Sequence, residues 1–137
     1  MSRLHNRDKR KIADPEWIKF LERYPRFPGV KVFLDELCNH HHNGTWIDAF
    51  YSSLEDHAID CIDEILEMFN EDLNFRERLT LLKLISHAAL PKTLSILMRY
   101  AQSQDEDFRY WAIRGLQRMD TKESRCFLWQ VQAKKKI

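Results

Sequence analysis

Between Val32 and Phe75 the chain has no Lys and no Arg. The same stretch holds Asp35, Glu36, Asp48, Glu55, Asp56, Asp60, Asp63, Glu64, Glu67, Glu71 and Asp72, so 11 of the 21 acids stand in a segment with no cation of its own. The other 10 share the rest of the sequence with all 22 Lys and Arg. A formal net charge of +1 therefore conceals an acidic middle and a basic remainder. A near-neutral total with a long acidic segment argues against a large nucleic-acid footprint.

Other scarcities exclude further classes. Three glycines, isolated at Gly29, Gly44 and Gly115, cannot bring several backbone amides against a phosphate as a P-loop or dinucleotide fingerprint does. With only four prolines besides, the chain has few of the turns that β-hairpins need. Cys38, Cys61 and Cys126 are odd in number and lack a C-x-x-C spacing, which disfavours a disulfide framework or a Cys-rich zinc site and fits a reducing compartment. No run approaches 18 apolar residues and the charged N-terminus has no secretory core, so a soluble, cytoplasmic protein without membrane association is expected. Neither H-E-x-x-H nor G-x-S-x-G occurs.

What the chain does contain is helical periodicity. At 137 residues and 44% hydrophobic it fits one domain, with a basic arm over residues 1–12 expected to be mobile and a basic tail over 132–137. Asp14-Pro15 is a good helix start, followed by Trp17, Ile18, Leu21 and Tyr24 at helical spacing. Pro25, Pro28 and Gly29 end that helix. Val30, Phe33, Leu34, Leu37, Cys38 and His41 give the stripe of a second. Gly44, suited to positive φ, and Thr45, a cap, precede a third that carries Trp46, Ile47, Phe50, Tyr51 and Leu54. Further on, Asn74 caps a helix with Phe75, Leu79, Leu82, Ile85 and Ala89, and Pro91 opens one with Leu94, Leu97, Met98 and Ala101. Asp105 to Asp107 place acids at the positive end of a helix presenting Phe108, Trp111, Ala112, Gly115, Leu116 and Met119. Asp120 and Glu123, spaced as a capping box, start the last, with Phe127, Leu128 and Val131. No segment alternates with period two. The expected class is all-α, with about eight short helices in antiparallel pairs, forming either a helical stack or an irregular bundle.

The acidic middle reads as the fourth of these helices, Asp56 to Asp72. At about 100° per residue, Ala58, Ile59, Cys61, Ile62, Ile65, Leu66, Met68 and Phe69 share one face, with Asp56, Asp60, Asp63, Glu64, Glu67 and Glu71 opposite. Like charges three or four residues apart cost roughly 0.2–0.5 kcal/mol per pair, which burial of the apolar face must offset.

Asn74-Phe75-Arg76 is matched 33 residues later by Asp107-Phe108-Arg109. The second copy, DEDFRYWAIRGLQRM, resembles the first helix of a HEAT repeat: an acidic start, Arg109 early, and small Ala112 and Gly115 on the packing face. The resemblance covers Asn74 to about Val131 and departs from the pattern at Leu79 and Lys83. It implies a short right-handed stack of helix pairs, and folds of that kind usually bind other proteins over a broad surface.

Candidates for chemistry are few. Cys38-x-His40-His41-His42 matches no familiar zinc spacing, and one turn cannot supply three or four convergent ligands. His57, Cys61 and Glu64 share a flank, but no orienting group or oxyanion donor accompanies them. Trp17, Trp46, Trp111 and Trp129 fall mostly on packing stripes and read as core. No catalysis, metal or cofactor is expected. The expected function is binding of a basic protein partner through Asp48, Glu55, Asp56, Asp60, Asp63, Glu64, Glu67 and Glu71. By analogy of size and charge, the chain is similar in kind to small bacterial immunity proteins, which block the basic active site of a cognate toxin. The alternatives are nucleic-acid binding through Arg76, Arg78, Arg99, Arg109, Arg114, Arg118 and the basic ends, as some HEAT-like proteins do, or a structural role in a larger assembly.

Overall fold

The computed structural model describes residues 15–39, 44–69 and 72–135. Among these the chain is all-α, with eight α-helices and no strand. They are α1 (Pro15–Arg23), α2 (Val30–Asn39), α3 (Gly44–His57), α4 (Ile62–Met68), α5 (Phe75–Ala88), α6 (Leu94–Tyr100, entered through a 3-10 turn at Pro91–Thr93), α7 (Glu106–Met119) and α8 (Lys122–Lys135). Two compact units divide the chain, the first ending at Glu67 and the second beginning at Met68.

The first unit is built around stacked aromatic rings. Trp17 and Phe20 of α1 lie 5.3 Å apart, and both meet Trp46 of α3, at 5.6 and 5.5 Å. Phe33 of α2 joins Phe20 and Phe50, each at 5.1 Å. Offset and edge contacts of this kind add to area burial, about 0.5–1.5 kcal/mol per pair. Helix α3 supplies Trp46, Ala49, Phe50 and Leu54 to this core, and α2 supplies Val30, Phe33, Leu34 and Leu37. The periodicity of α1 had pointed to Ile18, but the helix buries Phe20 and leaves Ile18 exposed. Gly29 takes φ 108 ahead of α2, in the turn the prolines introduce. Gly44 is instead the first residue of α3, so Thr45 falls inside the helix rather than at its cap. Asp14, the proposed first cap, and the arm at 1–12 lie outside the described residues, as do His40–His42.

In the second unit α7 is the centre, packed against α5, α6 and α8. Its small-residue face is what allows this. A Cβ added to Gly115 would lie 2.9 Å from the Ser86 Cα and 3.0 Å from the Leu97 Cδ1, so α5 and α6 both press on a bare backbone. Ala112 and Leu116 are fully buried beside it. Helix α5 is buried over a wide arc, including Leu81, Leu82, Leu84, Ile85 and Ala88, more than its expected stripe.

Helix termini in this unit follow a shared pattern. Asn74 forms a capping box with Glu77, at 2.8 and 3.0 Å. The Asp105 carboxylate accepts from the Asp107 and Phe108 amides, at 2.9 and 3.2 Å. At α8 the reciprocal pair is Thr121 with Ser124, at 2.9 and 3.1 Å, rather than Asp120 with Glu123. Asp120 is the left-handed C-cap of α7 (φ 51), matching Ala89 after α5 (φ 47). Four residues beyond each N-cap stands an arginine whose guanidinium reaches back to the carbonyl ahead of the cap: Arg78 to Leu73, Arg109 to Gln104 and Arg125 to Asp120, at 3.3, 3.3 and 2.8 Å.

These caps set α5 and α7 in register 31 residues apart, from Asn74 to Asp105 and from Ala89 to Asp120. The 33-residue match read from the sequence therefore does not pair equivalent positions. Phe75 begins α5 and is 51% exposed, whereas Phe108 lies within α7 at 8%, and their rings touch at 5.1 Å.

Candidate acidic interface

The single acidic helix expected over Asp56–Asp72 is interrupted. Helix α3 runs to His57, residues 58–61 are a turn, and α4 begins at Ile62. The turn keeps helix-like bonds, Cys61 N–H to His57 O at 3.0 Å and Ile65 N–H to Cys61 O at 2.9 Å, but changes which side chains face the core. Ala58, Ile62 and Ile65 are buried, Cys61, Leu66, Met68 and Phe69 are half-buried, and Ile59 is 57% exposed. The break has an electrostatic benefit. In one unbroken helix Asp63 and Glu64 would stand mid-helix beside Asp56, Asp60 and Glu67, adding only repulsion. As first-turn residues of α4 they stand toward the positive end of its dipole, where a carboxylate stabilises by about 0.3–1 kcal/mol.

The predicted carboxylates are thus distributed over three elements. Asp48 is exposed on α3, Glu55 and Asp56 are half-buried in its last turn, Asp60 is exposed in the turn, and Asp63 and Glu67 are exposed on α4. Glu64 is half-buried, with its carboxylate 3.5 Å from where a Gly29 Cβ would be, so it lies against the start of α2 as part of the fold. Glu71 lies outside the described residues. Asp60 and Glu64 come together around Cys61, whose thiol pKa is raised by burial first and then by these two charges. Asp48 is separated from Glu55 by about two helical turns, roughly 10 Å along the axis. A continuous carboxylate row is replaced by two patches, with an exposed isoleucine beside the second.

Charge divides between the units. The described part of the first, residues 15–39 and 44–67, carries 11 Asp and Glu against 4 Lys and Arg. Residues 72–135 of the second carry 7 against 12. Of the four cations among the first unit's described residues, Arg23 meets Glu36 at 3.4 Å and lies 5.6 Å from the Phe20 ring.

The imidazole of His57 stacks on Phe27, ring centroids 4.2 Å apart, and a raised pKa leaves the Cys61 thiol further from the reactive thiolate. No three His, Cys, Asp or Glu side chains converge as a metal site among the described residues. Trp17 and Trp46 are core, Trp111 is half-buried, and Trp129 is 71% exposed on α8 rather than core. Two arginines of the basic set, Arg78 and Arg109, are engaged with backbone carbonyls. No helix among the described residues is long and apolar enough to cross a membrane. The signal that sequence reasoning missed is Ile59, hidden because helical periodicity was extended through the turn. The chain matches no protein-family model, no curated protein and no solved structure.

Proposed function

We propose that this chain is a binding protein whose first unit presents an acidic surface to a basic protein partner. The observation that carries the reading is the stretch of that unit from Val32 to Glu67, which holds nine carboxylates and no Lys or Arg. Complementary charge steers encounter and raises the association rate, with an effect that falls with salt. Exposed Ile59 beside Asp60 supplies what charge alone does not, an apolar anchor of the kind that protein interfaces surround with a polar rim. The most specific form of the proposal is an immunity protein that covers the basic active site of a toxin domain.

The test is affinity capture from the native host with the wild-type chain and with Asp60→Lys/Asp63→Lys/Glu67→Lys. The expected result is a basic partner recovered by the wild type and lost on charge reversal, with Ile59→Ser weakening it at unchanged salt dependence. Partners retained at full affinity by the triple variant would overturn the proposal. The second unit's net positive charge favours a second reading, nucleic-acid binding. It predicts retention of the chain on a DNA or RNA column at low salt, and elution there without retention removes it.

A further inference from the structure

A cleft of about 390 Å³ in the second unit is lined by Ala101, Gln102, Ser103, Gln104, Arg109, Val131 and Lys134, between the turn that joins α6 to α7 and the outer part of α8. Its volume falls in the range of small-molecule sites. We propose that this cleft binds a small organic anion, a carboxylate or phosphate monoester on a short apolar body.

Arg109 provides the recognition element. Its Nη1 donates to the Ser103 and Gln104 carbonyls, at 2.9 and 3.3 Å, which fixes the guanidinium plane over the turn. Among the described residues its Nε and Nη2 make no hydrogen bond, so one edge of the fork is held in place and unspent. A guanidinium edge matches two oxygens of a carboxylate or phosphate, and a fixed plane loses little rotamer entropy on binding. The same clamp at Arg78 and Arg125 serves the helix end without lining this cleft. Lys134 is exposed on the opposite wall and makes no ion pair with the described residues, giving a second positive charge that a mono- or dianion can approach. Half-buried Val131 contributes apolar lining above buried Ala101, which a bare inorganic ion would not use and a short hydrocarbon or ring would cover.

The test is a titration of the uniformly ¹⁵N-labelled full chain at low salt with benzoate, phenyl phosphate and inorganic phosphate, followed by amide chemical shifts. Saturable shifts confined to residues 102–104, Arg109 and Val131 are expected with the two organic anions, and weaker ones with inorganic phosphate. Lys134→Ala and Gln104→Glu, both at exposed positions, should each weaken binding about three- to tenfold, one by removing a cation and the other by adding an anion. Shifts that are absent, that spread over the surface, or that neither variant alters would overturn the site. Inorganic phosphate binding as tightly as phenyl phosphate would overturn the apolar part of the ligand assignment.

Discussion

Replacing Gly115 by alanine sets two effects of opposite sign against each other. In a helix interior alanine is favoured over glycine by about 1 kcal/mol, so at an exposed site of α7 the change would stabilise. At this site the added methyl would stand 2.9 Å from the Ser86 Cα and 3.0 Å from the Ser86 Cβ and Leu97 Cδ1. Leucine can rotate away, but Ser86 meets it with backbone, so α5 and α7 must separate by several tenths of an ångström. Overpacking of this sort costs about 1–3 kcal/mol, and separation also loosens Ala112 and Leu116 against α5. The middle of that cost less the helix gain of about 1 kcal/mol leaves an expected net loss of about 1 kcal/mol. It is measured by urea denaturation of the full chain, with helicity and tryptophan fluorescence followed together because two units can unfold separately. Gln117→Ala, exposed on the same helix, serves as the control and should lie within about 0.5 kcal/mol of wild type. A Gly115→Ala chain as stable as wild type, or more so, would refute the close-approach reading of α7.

Ala89 holds a left-handed conformation, φ 47, to end α5, so Ala89→Gly should stabilise by up to about 1 kcal/mol in the same denaturation assay. Lys83 is half-buried with its Nζ 5.4 Å from the Trp111 ring centroid, and its pKa is lowered, chiefly by desolvation. A lysine with a depressed folded pKa binds fewer protons than in the unfolded chain, so its penalty is complete below the folded pKa and disappears by the ordinary value of 10.5. Lys83→Met should accordingly be the more stable protein at neutral pH, with the advantage shrinking as pH rises toward 10.5; an advantage that grows with pH would contradict this. Thiol labelling followed by mass spectrometry should modify exposed Cys126 well before Cys61, which is half-buried and raised in pKa by burial and by Glu64 and Asp60.

The helical class and most helix ends were legible because local chemistry decides them. Asn74, Asp105 and Pro91 start helices wherever the rest of the chain goes, and Gly115 marks a close approach because nothing else on that face is as small. Equivalence between helices was harder to see. Phe75 and Phe108 look alike as letters, yet the cap three residues before Phe108 is Asp105 whereas Phe75 follows its cap directly. A cap-to-arginine spacing, Asn74 to Arg78, Asp105 to Arg109 and Thr121 to Arg125, carries the register better than the aromatic does. It has a mechanism, a guanidinium that closes the turn ahead of each helix.

The acidic segment was misread because hydrophobic periodicity does not register the sign of neighbouring charges. Ala58, Ile62 and Ile65 keep helical spacing through the turn, so the apolar pattern runs on while the helix does not. With no Lys or Arg from Val32 to Phe75, nothing within the segment can compensate carboxylates stacked along one helix. A break that turns two of them into first-turn residues of a new helix gains dipole interaction that offsets part of that repulsion. The same break turns Ile59 outward. A rule that lowers the helix score wherever acids recur at i and i+4 without a cation would have placed the boundary near residue 60 and put Ile59 among the candidate interface residues. On this argument Asp60→Lys, which supplies a cation four residues from Asp56 and Glu64, should raise helicity across residues 56–68 as well as reduce partner binding. Amide exchange in that segment separates the two effects: slower exchange of the 58–61 amides supports the electrostatic origin of the break, and unchanged exchange refutes it.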